Sequence, residues 1–239
     1  MKVRGGLVAV ADTRVTTGSE CITARKLSIY EGRRSSLFLM TSGLRSLRDK
    51  ALTYFDETLG DRPDRFDRLY KAVNNFAEQV RRVAAEDRDA LVSAGLDYNI
   101  NVLIGGQMKN DKEHRLYLLY PQGNWIEIGE GTPYCIIGAG GYGKPVLDRT
   151  FSYDDDMEHA LKVAALAFDS TRISAADVDF PVDVVLYSLS ERKIVEYRYD
   201  KDDLGEVSGW WQEKLRSAIA ELPSDWIEKS FAALDGGES

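Results

Sequence analysis

Apolar residues follow two different periods along this chain, and the order of those periods limits the folds that it can adopt. Strand-like segments fill most of the first 43 residues. Two segments with apolar residues at steps of three and four come next, Leu47–Leu59 and Phe66–Val83. Strand-like segments return between 99 and 138, helical segments then begin at Pro145 and His159, and strands at 182–189 and 193–200 complete the order.

Helices that come in pairs between groups of strands are not typical of a parallel sheet, in which single helices alternate with single strands. Short turns, such as the one expected at 122–124, join neighbouring strands as antiparallel hairpins. The order therefore predicts an α+β fold, a four-layer αββα sandwich in which two antiparallel sheets lie between helix pairs. Pro63 is expected in the first turn of the second helix, and residues 134–138 are expected to form a strand.

The composition changes after Asp200, which predicts two parts of unequal size. Residues 1–200 are expected to form the αββα core domain. Residues 201–239 are expected to form a linker, at 201–209, and a C-terminal amphipathic helix. This helix contains Trp210 and Trp211 and is expected to pack on the core or on a neighbouring subunit.

Charge and hydropathy exclude several classes of partner. The chain has 31 Lys and Arg against 39 Asp and Glu, a formal net charge of -8, and its basic residues alternate with acidic ones. Nucleic acid is therefore not an expected partner, because binding it needs a concentrated basic face. No apolar stretch reaches the length of a membrane span and no signal peptide is visible, so a cytoplasmic location without membrane contact is expected. Cys21 and Cys135 are expected to be buried free thiols.

Histidine is scarce in this chain, and that limits the possible mechanisms. His114 and His159 are the two histidines, and neither lies in a small-residue turn beside a serine or cysteine. Both are expected at the surface. A Ser-His-Asp or Cys-His mechanism and a histidine-rich zinc site are therefore disfavoured, and no metal or cofactor is expected. A hydrolase of this composition would need a different base.

A glycine-rich segment, Gly138–Lys144, matches the dinucleotide pattern G-x-G-x-x-G and most of a P-loop. Its surroundings favour another interpretation. The strand expected before it belongs to an antiparallel meander, and Pro145 stands where a P-loop has a hydroxyl for magnesium. No acidic residue follows at the distance that would hold a ribose. A turn between strand and helix is favoured, and a nucleotide site at Gly138–Lys144 remains an alternative.

A quieter group of polar residues lies near the first long strand. Asp12 ends the segment GLVAVAD, a polar turn with Thr16 follows, and Lys26 lies in an expected strand beside apolar residues. A lysine is costly to bury there without a partner, and Asp12 across the hairpin is the expected partner. Asp169 and Ser170, at the end of the apolar helix, form a third element. Local bonds from side chain to backbone are the alternative interpretation of that element.

These residues resemble those of proteasome-type peptidases. The segment at 6–14, the turn with Thr and Gly, and the Arg-Lys pair at 25–26 are similar to proteasome β-subunits and to the bacterial relative HslV, and most of all to the bacterial Anbu group. The supporting segments lie at 39–44, 94–107, 119–127, 141–149 and 168–187.

The resemblance implies the N-terminal-nucleophile (Ntn) hydrolase fold, which has the same αββα layers. It also implies a homo-oligomeric peptidase that hydrolyses peptides or unfolded proteins, with any unfoldase partner unknown. In this family the hydroxyl of an N-terminal threonine attacks the peptide bond. The α-amine of the same residue, with a pKa near 8, serves as the base, so no histidine is needed.

The resemblance also assigns roles to residues of this chain. Lys26 would favour deprotonation of the nucleophile, and Asp12 would hold Lys26 in place. Asp169 and Ser170, with Ser174 as another candidate serine, would support the N-terminus. The remaining two roles concern substrate binding, where the backbone of Thr16 would meet the substrate strand and the Gly43 amide would donate to the developing oxyanion.

The chain departs from the family pattern at two places. Ala139 stands where many relatives have serine in a GSGG loop, so a supporting hydroxyl is expected to be lost or supplied by another side chain. Counting back from Asp12, the first strand is expected to start about five residues before Met1, which has no hydroxyl or thiol of its own. One hypothesis is a threonine-type peptidase whose nucleophile lies upstream of Met1. Another is a structural subunit without a nucleophile.

Overall fold

The computed structural model describes residues 1–17, 20–60 and 63–235, without the side chains of residues 16, 17, 20, 21, 63, 229 and 233–235. The chain divides into two compact units, Met1–Lys201 and Asp202–Ser239. No helix in the described ranges combines the length and the apolar character that crossing a bilayer requires.

The first unit contains antiparallel strands and four described helices. The strands are β1 Lys2–Val3, β2 Gly6–Asp12, β3 Arg14–Thr17, β4 Glu20–Thr23, β5 Leu27–Glu31, β6 Ser36–Gly43, β7 Ile100–Gln107, β8 Arg115–Leu119, β9 Trp125–Glu127, β10 Val182–Ser188 and β11 Lys193–Tyr199. The helices are α1 Arg45–Leu59, α2 Leu69–Ser93, α3 Lys144–Thr150 and α4 Met157–Ser174. This content confirms the predicted α+β class.

Two larger sheets and one hairpin organise these strands. One sheet has the order β1-β2-β10-β11, the other has the order β5-β6-β7-β8-β9, and β3 pairs with β4 alone. All of the pairings are antiparallel. In the first sheet, Asp12 pairs with Val182 and Gly6 with Ser188.

Side-chain alternation along the strands gives each large sheet two different apolar faces. In β6, Leu37 and Leu39 belong to the cluster formed with α1 and α2. Phe38, between them, belongs to the cluster that the two large sheets share. In the same way Leu7 of β2 faces the shared cluster, whereas Val8 packs with Ala160 and Ala164 of α4. The period of two in the sequence therefore places successive residues in different cores. Full burial of each large apolar side chain stabilises the fold by about 1.5–3 kcal/mol.

Several local expectations are corrected by the structure. Residues 134–137 are buried or half-buried, but residues 134–138 form no strand; Cys135, Ile136 and Ile137 instead line a cavity. Pro63 begins a short 3-10 turn, and α2 begins only at Leu69. The carboxylate of Asp111, distant in sequence, accepts the Leu69 N–H at 2.9 Å and so fixes the start of that helix. Such a cap cannot be seen in the local sequence.

His114 is buried, which contradicts the expectation of a surface histidine. Its Nε2 lies 2.9 Å from the carbonyl oxygen of Val3 in β1, and its ring approaches that of Tyr187. Burial lowers the pKa of His114 below its usual value. His159 is exposed, as expected, at the start of α4.

The second unit contains α6 Asp225–Asp235 and all of α5 Lys201–Ala220 except its first residue. Residues 201–209, which the sequence predicts as a linker, form the first half of α5. Asp202 and Asp203 lie in its first turn, where acidic side chains favour a helix N-terminus. These acidic residues help to offset the loss of helix stability caused by Gly205 and Gly209, which is about 1 kcal/mol for each glycine in a helix.

Candidate active site

Asp12 and Lys26 form an ion pair at the end of β2. Lys26 Nζ lies 2.7 Å from Asp12 Oδ1, and the two side chains are 20% and 13% exposed. The other carboxylate oxygen of Asp12 accepts the backbone N–H of Arg14 at 3.0 Å. Burial raises the pKa of Asp12 above its usual range, and the hydrogen bonds from Lys26 and Arg14 oppose that shift. The pair is the one that the sequence predicts.

Lys26 lies just before β5 and not inside a strand, which corrects the expectation from the sequence. Its carbonyl oxygen accepts the backbone N–H of Thr41 at 3.1 Å, one step beyond the last paired residues of β5 and β6. This bond fixes the backbone of Lys26, so the side chain that carries the ammonium group extends from a defined point. Asp12 and Thr41 together hold the side chain and main chain of the lysine.

The edge of β2 that leads to Asp12 has no neighbouring strand among the described residues. β1 pairs with β2 through Lys2 and Val3, and the Met1 amine and carbonyl exchange hydrogen bonds with Val8 at 2.8 and 3.0 Å. Beyond Val8, the stretch from Ala9 to Asp12 pairs on its other side with β10 alone. An extended segment could bind along this edge by main-chain hydrogen bonds.

A cavity of about 200 Å³ lies beside this edge and beneath Lys26. Its walls are mostly apolar and include Met1, Ala9, Phe38, Met40, Leu116, Ile137 and Ala167. Burial lowers the pKa of the Met1 amine to about 5. Burial also raises the pKa of the Cys135 thiol in the same cavity, which makes this cysteine a poor nucleophile.

A second cavity of about 290 Å³ shares Lys26, Thr41, Ser42 and Asp177 with the first. Its further lining residues include three arginines, the residues at the start of α1 and two apolar side chains, namely Arg14, Val15, Gly43, Leu44, Arg45, Arg48 and Ile100. The Asp12–Lys26 pair therefore lies where an apolar cavity meets a basic one. A peptide bound along the free edge of β2 would have room for side chains on either side.

Gly43 lies in the second cavity in a conformation that favours glycine. Its φ is +121°, and a Cβ atom built on it would lie 2.3 Å from the carbonyl oxygen of Asn99. The glycine therefore lets β6 and the residue before β7 approach closely. Thr16, the other residue predicted to bind substrate, lies in β3, and its side chain is outside the described part of the chain.

Asp169 and Ser170 do not line either cavity. The Ser170 hydroxyl donates to Leu166 O at 2.9 Å within α4, and Asp169 accepts from Arg172 at 2.8 Å. One carboxylate oxygen of Asp169 is buried and accepts no hydrogen bond from the residues that the structure describes. Local bonds, the alternative interpretation of this segment, therefore account for Ser170.

Thr171, to which the sequence assigned no role, lines the first cavity beside Gly143. The burial pattern of α4 could have indicated this, since Ala164, Ala167 and Thr171 follow one helix face. Ser174, the other candidate serine, is exposed at the end of α4.

The glycine-rich loop does not have the surroundings of a phosphate-binding loop. No strand leads directly into it, since β9 ends at Glu127, and α3 has only seven residues. Lys144 Nζ binds both carboxylate oxygens of Asp148 at 2.6 and 2.7 Å and the Tyr134 hydroxyl at 3.0 Å. Ala139 lines the first cavity, and the Ser42 hydroxyl lies next to Gly138, so Ser42 brings a hydroxyl to this loop.

Within the described residues, no group of three or more His, Cys, Asp or Glu side chains is arranged to hold a metal ion. The polar groups of the site are instead a fixed ammonium, a carboxylate that positions it, and hydroxyl groups from Thr41, Ser42 and Thr171. Such a set can stabilise negative charge and hold a proton acceptor, but its described members include no activated nucleophile.

The chain is similar to several solved structures over nearly its whole length. Anbu (ancestral beta-subunit) from Yersinia bercovieri is 31% identical, with 93% of this chain and 96% of that chain covered and a TM-score of 0.86. Anbu from Hyphomicrobium sp. strain MC1 is 29% identical, with 93% and 96% covered and a TM-score of 0.83. The helical assembly of the Anbu complex from Pseudomonas aeruginosa contains a chain that is 29% identical, with 94% and 95% covered and a TM-score of 0.85. Neither a family model nor a curated protein sequence matches the chain.

Proposed function

Because this chain belongs to the Anbu family of proteasome-like proteins, we propose that it is a threonine-type peptidase subunit of a proteasome-like homo-oligomer. Its sheets and helices would form the four-layer αββα sandwich of Ntn hydrolases. The nucleophile would be an N-terminal threonine, or a residue of the same type, upstream of Met1. The observation that carries this proposal is the fixed Asp12–Lys26 pair at the end of an unpaired strand edge.

The register of the first hairpin supports the position of the nucleophile. In an antiparallel pair, each residue earlier in one strand faces one residue later in the other. Met1 is opposite Val8, so four residues before Met1 would lie opposite Ala9 to Asp12. A residue five positions before Met1 would lie opposite Thr13, next to Asp12 and Lys26. The free edge of β2 thus has the length that the proposed segment needs.

The chemistry of the site supports hydrolysis by such a residue. The Lys26 ammonium would favour the ionised form of a hydroxyl beside it, and Asp12 would keep the ammonium in place. The α-amine of the nucleophile would take up the hydroxyl proton and pass it to the leaving amine. Backbone N–H groups near Gly43 would stabilise the tetrahedral oxyanion, and water would then release the acyl group.

The substrate would be an unfolded protein or a peptide in extended conformation. The protein offers such a substrate a free strand edge, with cavities on either side of Lys26. This arrangement is typical of peptide recognition by main-chain pairing. The helical assembly of the Pseudomonas aeruginosa relative supports self-association of this chain. A free thiol at Cys135 is consistent with the reducing conditions of the cytoplasm.

A pair of extended chains tests the proposal. Both carry a five-residue extension in front of Met1, with Thr as the mature first residue in one and Ala in the other. The Thr chain is expected to hydrolyse a fluorescently labelled unfolded protein, and the Ala chain is not. Equal hydrolysis, or none in either chain, would contradict the peptidase.

A structural subunit is the second candidate, since no activated nucleophile lies among the described lining residues. For that function the Thr and Ala chains would assemble equally, as measured by light scattering, and neither would hydrolyse the labelled protein. Loss of assembly in both would contradict the structural function as well.

A further inference from the structure

The second cavity carries an excess of positive groups on its walls. Among the described residues, four cationic side chains line it, those of Arg14, Lys26, Arg45 and Arg48, against one carboxylate, that of Asp177. Among the described residues, Asp12 binds Lys26, Asp49 binds Arg45 and Arg48, and Asp179 binds Arg14, and none of these three carboxylates lines the cavity. In each of these described ion pairs, the cation lines the cavity and the carboxylate does not.

Arg45 and Arg48 share a single carboxylate. Arg45 Nε lies 3.2 Å from one oxygen of Asp49, and Arg48 Nη2 lies 2.7 Å from the other. Arg48 is buried and also donates to the carbonyl oxygen of Arg25 at 3.2 Å, so its guanidinium is held in one orientation. One negative charge therefore offsets two guanidinium groups, of which one is already ordered and loses little freedom when it binds an anion.

The N-terminus of α1 opens into the same cavity. Gly43, Leu44 and Arg45 line it, and α1 begins at Arg45 without a side-chain cap and without an acidic residue in its first turn. The first backbone N–H groups of a helix have no partner inside the helix, and they add positive potential at that end. The arginine side chains and the N-terminus of α1 thus both make the electrostatic potential in the cavity more positive.

We infer that this cavity binds an acidic side chain of the peptide substrate, glutamate or aspartate, at the position next to the cleaved bond. The inference rests on the proposed function, because Gly43 and Lys26 relate the cavity to the reacting bond. A carboxylate would make charge-assisted hydrogen bonds to Arg45 and to the first backbone N–H groups of α1. A lysine side chain would be repelled, and an apolar side chain would leave the polar walls without partners.

The test compares three short peptides with blocked ends that differ in one residue, Glu, Gln or Lys, and carry a fluorescent label. Binding to the complete chain is measured by fluorescence anisotropy at low and high salt. The Glu peptide is expected to bind about tenfold more tightly than the Gln peptide, as one charge-assisted hydrogen bond would give. The Lys peptide is expected to bind least, and high salt is expected to reduce the difference.

Arg45→Glu is the variant that decides, because Arg45 is exposed and its replacement leaves the core intact. It is expected to remove the preference for Glu and to favour Lys. Arg34→Glu is the matched control. It makes the same charge change beyond the far end of β6 from Gly43, roughly 25 Å away along the strand. The control is expected to keep the preference for Glu.

Equal binding of the Glu and Gln peptides would overturn the inference. It would do so even if inorganic phosphate bound the chain, because the cavity would then bind anions without selecting an acidic side chain. An equal effect of Arg45→Glu and Arg34→Glu would also overturn it, because net charge alone would then explain the binding. Hydrolysis by the extended Thr chain is measured separately with the same peptides. A preference without hydrolysis would contradict the peptidase alone, whereas hydrolysis without a preference would contradict this inference alone.

Discussion

Lys26 Nζ lies 2.7 Å from Asp12 Oδ1, although one residue ends a strand of the four-stranded sheet and the other precedes a strand of the five-stranded sheet. Asp12 ends β2 in the four-stranded sheet, and Lys26 precedes β5 at the edge of the five-stranded sheet. The ion pair therefore connects the two sheets at one end of the core that they share. Its geometry depends on the packing of the whole first unit.

Removal of Asp12 is expected to destabilise the protein. In Asp12→Ala the largely buried ammonium of Lys26 loses its partner, which is expected to lower the free energy of unfolding by about 2–3 kcal/mol. Urea unfolding measures the change. The matched control is Asp154→Ala, because Asp154 pairs with Arg4 and both side chains are more than 70% exposed. A loss below about 0.5 kcal/mol is expected there, and an equally small loss for Asp12→Ala would contradict the account.

Removal of Lys26 is expected to abolish hydrolysis in the extended Thr chain. Lys26→Ala takes away the positive charge beside the nucleophile, and a fall in kcat of at least about 100-fold is expected. Light scattering should show an unchanged assembly. Lys144→Ala, which removes a lysine from the exposed pair with Asp148, should retain hydrolysis. Activity that survives Lys26→Ala would refute the proposed mechanism.

The same Lys144→Ala chain tests the nucleotide alternative. Lys144 is already bound to Asp148 and Tyr134, so calorimetry is expected to show no saturable nucleotide binding in the unaltered chain. Micromolar binding that disappears in Lys144→Ala would show that the glycine-rich loop holds phosphate.

The buried amine of Met1 predicts a pH dependence of stability for a chain that begins at this residue. Its pKa falls from 8.0 to about 5 on folding, so the unfolded state binds more protons between these values. Stability is therefore expected to fall as the pH is lowered from 8 to 5, by about 4 kcal/mol in total. An N-terminally extended chain, in which this nitrogen is an amide, is the control. Burial of His114 acts in the same direction in both chains, and identical pH profiles would contradict the prediction.

Gly43 is expected to tolerate no side chain. Gly43→Ala would place a methyl group against the Asn99 carbonyl at a φ of +121°, so a loss of at least about 2 kcal/mol in the free energy of unfolding is expected. Gly129→Ala, where a methyl group meets no atom within 4 Å, is expected to change stability by less than about 0.5 kcal/mol. Thermal unfolding of the two variants checks this difference. Equal melting temperatures would contradict the prediction.

Much of the fold could be predicted because burial leaves a periodic trace in the sequence. The alternation in SLFLM places Leu37 and Phe38 on opposite faces, and the steps of three and four mark α1 and α2. The Asp12–Lys26 pair could be predicted because a largely buried lysine needs a partner. The start of α2 could not, since its cap comes from Asp111, forty-two positions away.

The sequence was less informative where a pattern has two physical causes. The apolar residues at 134–138 resemble a strand but line a cavity, and His114 follows a polar loop but packs against β1. Asp169 and Ser170 were predicted at the site, yet it is the next residue of α4, Thr171, that lines the cavity. Arg45 and Arg48 were missed because a helix start with alternating charges is usually solvated, and only the tertiary structure shows that they share Asp49.

The proposed peptidase is tested most directly by covalent trapping of the nucleophile. A peptide β-lactone acylates an activated hydroxyl, and mass spectrometry then locates the added mass. We predict one adduct per extended Thr chain, on the N-terminal residue, and no adduct in its Lys26→Ala variant or in the extended Ala chain. An adduct on Cys135, on Ser42 or on no residue at all would contradict the account.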